Sequence, residues 1–170
     1  MSAVVAVYAD GGVVAVNPSP HGGTWAWCHV DADNQRVAHA SGFVPPEVVG
    51  LPTVSNNVTE LIALVSALEA LPDGWSGNVY TDSLNALCRV RDHATQKFKA
   101  CPDHLKERVV KVRRRLGALT FTLLGGHPTR ADLRAGHRPD GLPVSEHNVW
   151  CDKSCGERAK DRERVVGHVA

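Results

Sequence analysis

Nothing in this 170-residue chain approaches the ~20 consecutive apolar residues needed to cross a membrane, so no spanning helix is expected. Net charge is almost absent: 19 Lys and Arg against 18 Asp and Glu leave +1, and no overall field selects a partner. Cysteine occurs five times, an odd number without regular spacing, which argues against a paired disulfide framework. With no signal-like start, a reducing cytoplasm is expected. Cys151 and Cys155 stand one helical turn apart, but no second pair has ligand spacing, so a two-cysteine metal clip is not expected. Repeats, low-complexity tracts and domain-dividing linkers are also missing. With 43% hydrophobic and 22% charged residues, the chain reads as one domain over residues 1–170 with a proper core.

What is present is a series of short apolar runs with sharp stops. Ala3 to Ala9 is rich in Val and is followed by Asp-Gly-Gly, which predicts a buried strand ending abruptly. Residues 17–23, NPSPHGG, are turn-rich; TWAWCHV (24–30) and RVAHASGFV (36–44) then read as a strand and its return. Trp25 and Trp27 share one side of the second strand, and at least one belongs in the core. Residues 45–55 read as a loop. Leu61, Leu64, Val65, Leu68 and Leu71 then follow the spacing of an amphipathic helix, with Asn56 or Asn57 as its cap and Pro72 with Gly74 as its end. GNVYTD (77–82) reads as a strand and Ser83 as the cap of a short helix. A basic helix follows from Pro102 to about Leu116, and ALTFTLL (118–124) is a further strand. Residues 125–147 read as a long mobile loop and NVWCDKSCGERAKDRERVV as a last helix. This order predicts an α/β fold: a mixed sheet with helices packed on it.

Four acids sit at the junctions of these elements: Asp10 in YADGG, Glu60 in NNVTEL, Asp82 in VYTDS and Asp152 in NVWCD. If the first and fourth strands lie parallel, their C-terminal ends bring Asp10 and Asp82 together, where ligands of open α/β sheets collect. Glu60 would lean in from the first turn of its helix, favoured there by the helix dipole, and Asp152 would complete the group from the start of the last helix. Close carboxylates repel, and a hard divalent cation removes that penalty; all-oxygen ligands favour Mg²⁺ or Mn²⁺ over Zn²⁺. From Lys97 to Arg115 there are eight basic residues and two acidic ones, which fits either a solvated helix face or a surface that follows phosphates.

These residues resemble the ribonuclease H type 1 family. YADGG with NPSPHGG (8–23), NNVTELIALVSALEAL (56–71), VYTDS (79–83), GGH (125–127) and HNVWCD (147–152) run in family order along nearly the whole chain. The resemblance implies the ribonuclease H-like fold, a mixed five-stranded sheet with helices on both faces. It also implies cleavage of the RNA strand of RNA–DNA hybrids at a two-Mg²⁺ site, with 5′-phosphate and 3′-hydroxyl products. By the same resemblance Asp10 bridges both ions, Glu60 and Asp82 hold one, and Asp152 holds the other. His127 matches the family's loop histidine, which helps proton transfer or product release; His137 and His147 compete for that role. The interval from His127 to Asp152 is longer than the family usually has.

Asn17, Asn56 and Asn57 match positions that contact the hybrid, although turn and cap chemistry also suits them. The Trp- and Lys-rich protrusion of well-known bacterial members is missing. Lys97 and Lys99, with part of the set Lys106, Arg108, Lys111, Arg113, Arg114 and Arg115, are expected to grip the DNA strand in its place. A monomer is the default expectation. Two other readings remain: a DNA nuclease or integrase-type enzyme of the same fold, and a non-catalytic hybrid-binding module.

Overall fold

The computed structural model describes residues 3–169. β1 (Val4–Val13), β2 (Gly23–Asp31) and β3 (Arg36–Val44) form an antiparallel meander. A short α1 (Pro46–Val49) and α2 (Asn56–Glu69) lead to β4 (Gly77–Thr81). Then come α3 (Leu84–Arg91), α4 (Asp103–Arg115), β5 (Leu119–Leu123), α5 (Arg130–Ala135) and α6 (Glu146–Val169). β4 lies parallel to β1, and β5 parallel to β4, giving the order β3-β2-β1-β4-β5. The mixed five-stranded sheet is as expected. No helix among the described residues is long and apolar enough to cross a membrane.

The period of two along the central strands divides the core. Val7, Ala9 and Trp27 turn to the face covered by α2 and α4, where they meet Leu61, Leu64, Leu68, Leu105 and Val109. Ala6, Tyr8, Ala26, Cys28 and Val30 turn to the other face and meet Cys151 and Cys155 of α6. Trp27 is buried and Trp25 packs at the margin of the same cluster. The predicted leucine stripe of α2 is the centre of the core: Leu61, Leu64 and Leu68 are wholly inaccessible, each burial contributing about 1.5–3 kcal/mol.

Several boundaries differ from the sequence reading. β1 does not stop at Asp-Gly-Gly, because β2 continues to pair with it as far as Val13↔Gly23. What stops is its pairing with β4, at Tyr8↔Tyr80. The cap of α2 is Ser55, whose hydroxyl accepts from the Val58 amide, so Asn56 and Asn57 open the helix instead of capping it. Glu60 therefore lies in the second turn, past the strongest field of the helix dipole. α6 begins at Glu146, which puts Asp152 in its second turn also. α1 and α5 arise in stretches read as loops. α5 has no buried residue and is built from polar local bonds, a capping box between Thr129 and Asp132, so no apolar period announces it.

Gly11 is where α2 comes down onto the sheet. A Cβ built there would stand 2.4 Å from the Glu60 backbone nitrogen, so no side chain fits without moving the helix. Gly11→Ala should therefore cost about 1–3 kcal/mol of stability, read as a lower urea midpoint with an unchanged slope. An unchanged midpoint would show that α2 does not rest on β1 at this point.

Candidate active site

The acids meet because β4 ends while β1 runs on. Asp10 and Asp82 each follow the last β1–β4 pair, Tyr8↔Tyr80, by two residues. Alternation sends Asp10 to the side on which Tyr8 and Tyr80 stack at 4.7 Å, and Asp82 meets it from the bend after β4. Glu60 reaches the same edge from α2, whose backbone at Thr59 and Glu60 lies directly against Gly11. One carboxylate oxygen from each of Asp10, Glu60 and Asp82 lies within 4.8 Å of the others.

Asp152 arrives from the opposite face. The thiol of Cys155 donates to the Asp10 carbonyl at 3.3 Å, and that of Cys151 to the Tyr8 carbonyl at 3.7 Å. Thr24 adds a bond from its hydroxyl to the Cys155 carbonyl at 3.2 Å. These contacts fix α6 beneath β1 and leave Asp152, between the two cysteines, close enough to Asp10 to repel its charge. The hydrogen bond with the Cys28 thiol, then burial, holds Cys151 in its neutral form; burial, then the Asp10 carboxylate, does so for Cys155.

Burial, then repulsion from Asp82, Asp152 and Glu60, raises the pKa of Asp10 well above the carboxylate range. Burial also raises Glu60 from its ordinary 4.5 to about 7, with the Ser83 hydroxyl partly opposing the rise. Asp82 is raised by burial, and the Asn148 amide opposes that shift. Among the described residues no Lys or Arg forms an ion pair with Asp10, Glu60 or Asp82. Three hard oxygen donors at this spacing fit a small divalent cation such as Mg²⁺.

Asn148 belongs to the site although the sequence reading does not single it out. It is buried, its Nδ2 donates to Asp82 Oδ2 at 3.3 Å, and its Oδ1 has no protein partner. The signal for it in the chain is spacing: four residues before Asp152, it shares one face of a helix with that acid.

The three histidines separate clearly. His127 is exposed, in a left-handed conformation (φ 50°), with Nδ1 3.7 Å from Asp152 Oδ2. His137 contacts the carbonyl of Arg138 within its own turn. His147 is buried, and its ring nitrogens are engaged by Arg36 and Asn34. Of the three, His127 is the one that faces a carboxylate of the site.

The polar and basic residues divide as well. Asn17 Oδ1 accepts from the Asn56 backbone amide at 3.1 Å, which ties the loop after β1 to the start of α2; Asn57 is exposed beside it. Lys97, Lys99, Lys106 and Lys111 are exposed. Arg108 is bound to Glu69 and Ser66, and Arg115 donates to the carbonyls of Leu68, Glu69 and Leu71 and pairs with Asp73. Those two arginines close the end of α2 and are withdrawn from the basic set.

The model of the RNase H family matches residues 2–160. The chain belongs to the RNase H family. Membership places it in a family of nucleases. Solved structures agree on the fold. The N-terminal RNase H domain of rv2228c from Mycobacterium tuberculosis is 14% identical with a TM-score of 0.65, over 95% of this chain and 99% of that one. LC11-RNase H1 in complex with an RNA/DNA hybrid is 20% identical with a TM-score of 0.58, over 89% and 94%. RNase H1 from the archaeon Halobacterium salinarum NRC-1 is 20% identical with a TM-score of 0.52, over 85% and 96%. No curated protein matches the chain.

The raised carboxylates make stability depend on pH in a stated direction. Glu60 binds its proton more tightly folded than unfolded, so its contribution is full below 4.5 and is lost as pH rises through about 7. Without divalent cation, the wild type should lose stability across that window, and Glu60→Gln should lose less. Added Mg²⁺ should raise the melting temperature more at pH 8 than at pH 5. Equal shifts at the two pH values would contradict this assignment.

Proposed function

We propose that this RNase H-family protein is an endoribonuclease that hydrolyses the RNA strand of RNA–DNA hybrids with two divalent cations, leaving 5′-phosphate and 3′-hydroxyl ends. The observation that supports this most directly is the meeting of Asp10, Glu60 and Asp82 at the sheet edge, with no Lys or Arg paired to them among the described residues. Asp10 would serve both ions, Glu60 and Asp82 would hold one and Asp152 the other, with Mg²⁺ as the expected ion and Mn²⁺ as a substitute. When bound, such ions offset the charge that builds on the entering and leaving oxygens of a phosphodiester.

The chain's own residues supply the rest. Asn148 holds Asp82 in orientation. His127 stands at solvent beside Asp152, placed to move a proton or to help product leave. Asn17, Asn56 and Asn57 present neutral amides beside the start of α2 for the minor groove of the hybrid, where the 2′-hydroxyl distinguishes RNA from DNA. Lys97, Lys99, Lys106 and Lys111 are exposed, Lys106 beside the Phe98 ring, and can follow the phosphates of the DNA strand. LC11-RNase H1, a protein of the same fold, was solved with an RNA/DNA hybrid bound. We take the chain to act as a monomer.

The test is an end-labelled hybrid beside matched duplex RNA, duplex DNA and single strands, with Mg²⁺ or with chelator. The hybrid's RNA strand alone should be cut, and only with Mg²⁺. Asp82→Asn should keep the fold and hybrid affinity while losing several orders of magnitude in rate. Cleavage of duplex DNA would move the protein to the integrase side of the fold; a hybrid bound but uncut would make it a binding module.

The four lysines offer a separate check. Changing Lys97, Lys99, Lys106 and Lys111 to Gln should raise KM and flatten its salt dependence, by roughly 0.7–0.9 in logarithmic slope for each phosphate no longer neutralised. An unchanged slope would remove them from the interface.

A further inference from the structure

The segment between His127 and Asp152 is folded, not loose. α5 ends at Gly136, His137 bridges to Pro143, and Arg138 and Leu142 close a small hairpin at 2.9 Å. Asp140 sits in its bend, accepting from the Leu142 amide and pairing with the Arg138 guanidinium. The hairpin is turned back on the Gly125–Gly126–His127 turn that follows β5. The Gly125 amide donates to the Pro143 carbonyl at 2.8 Å. Arg138 Nη1 donates to the Gly126 carbonyl at 2.9 Å. Its side chain lies so close over Gly125 that a Cβ there would stand 2.5 Å from Arg138 Cδ. On the other side, a Cβ on Gly126 would stand 2.8 Å from Asp82 Oδ2. The two glycines are thus pressed between Arg138 and an acid of the site. His127 comes next, in a left-handed conformation that a non-glycine residue keeps only where its surroundings impose it.

We propose that Arg138 is a positioning residue: it braces the Gly125–Gly126 turn against Asp82 and so fixes where His127 stands relative to Asp152. The inference rests on the role given to His127 above. Arg suits the task because its guanidinium is permanently charged and planar. One edge can pair with Asp140 while Nη1 reaches the Gly126 carbonyl. The hairpin is then the means by which a long interval between His127 and Asp152 still yields a defined turn.

The experiment is a double-mutant cycle on hybrid cleavage with Mg²⁺. Arg138→Met should lower kcat roughly 10- to 100-fold with KM within about twofold, the scale of misplacing one reacting group by an ångström. In a His127→Ala background the same change should have almost no further effect. An equal loss in both backgrounds, or wild-type kcat in Arg138→Met, would overturn the proposal. If Arg138→Met fails to fold, Arg138→Lys enters the same cycle, since it keeps the charge but loses the planar fork. A second readout needs no activity. Backbone order parameters of Gly126 and His127 should fall from about 0.85 toward 0.6 or below in the variant. Unchanged values would also overturn the brace. A wild-type protein that leaves the hybrid uncut would refute the proposed function, and the order parameters would still decide the role of Arg138.

Discussion

The structure is organised around an unfavourable interaction, the mutual repulsion of carboxylates held together where water is partly excluded. Asp10 is buried, with Asp82, Asp152 and Glu60 all acting on its charge. Such a group would spread apart on a flexible scaffold. Here each member is anchored by backbone that cannot relax independently: a central strand, the bend after its parallel neighbour, and two helices. The core of α2 supplies the stability that tolerates this strain, with Leu61, Leu64 and Leu68 wholly buried. Under the proposed function, divalent cations would offset this charge.

Two helices reach the acids from opposite faces of one sheet, and each approach depends on a small residue or a modest bond. α2 comes close because Gly11 has no side chain. α6 comes close because Cys151 and Cys155 are compact, apolar and able to donate to β1 carbonyls. The cysteines therefore serve packing. The Cys28 hydrogen bond with burial for Cys151, and burial for Cys155, keep these thiols protonated, which suits a structural role and not a reactive one.

The basic residues of α4 show how charge in a sequence is shared between fold and surface. Arg108 and Arg115 look equivalent to their neighbours in the chain, yet both are engaged at the end of α2. Arg113 lies over the Phe121 ring. Lys106 and Lys111, on the same helix, remain exposed. Periodicity alone could not separate these groups, because the partners of Arg108 and Arg115 lie on another element some forty residues away.

The order of the five strands and the longer helices, the mixed sheet, the leucine face of α2 and the acids as candidates for one site were legible in the sequence. These follow from local periods, turn residues and short motifs, all readable within a few residues. The tertiary structure alone decided that β1 outruns β4, that Ser55 and not Asn56 or Asn57 caps α2, and that Asn148 supports Asp82. It also decided which of His127, His137 and His147 faces an acid, and that residues 125–147 fold back on the turn after β5. Each of these depends on contacts between residues distant in the chain, or on polar local bonds that leave no hydrophobic pattern. A one-dimensional reading can see which residues have the chemistry for a site; only packing settles which of them are brought within a few ångströms.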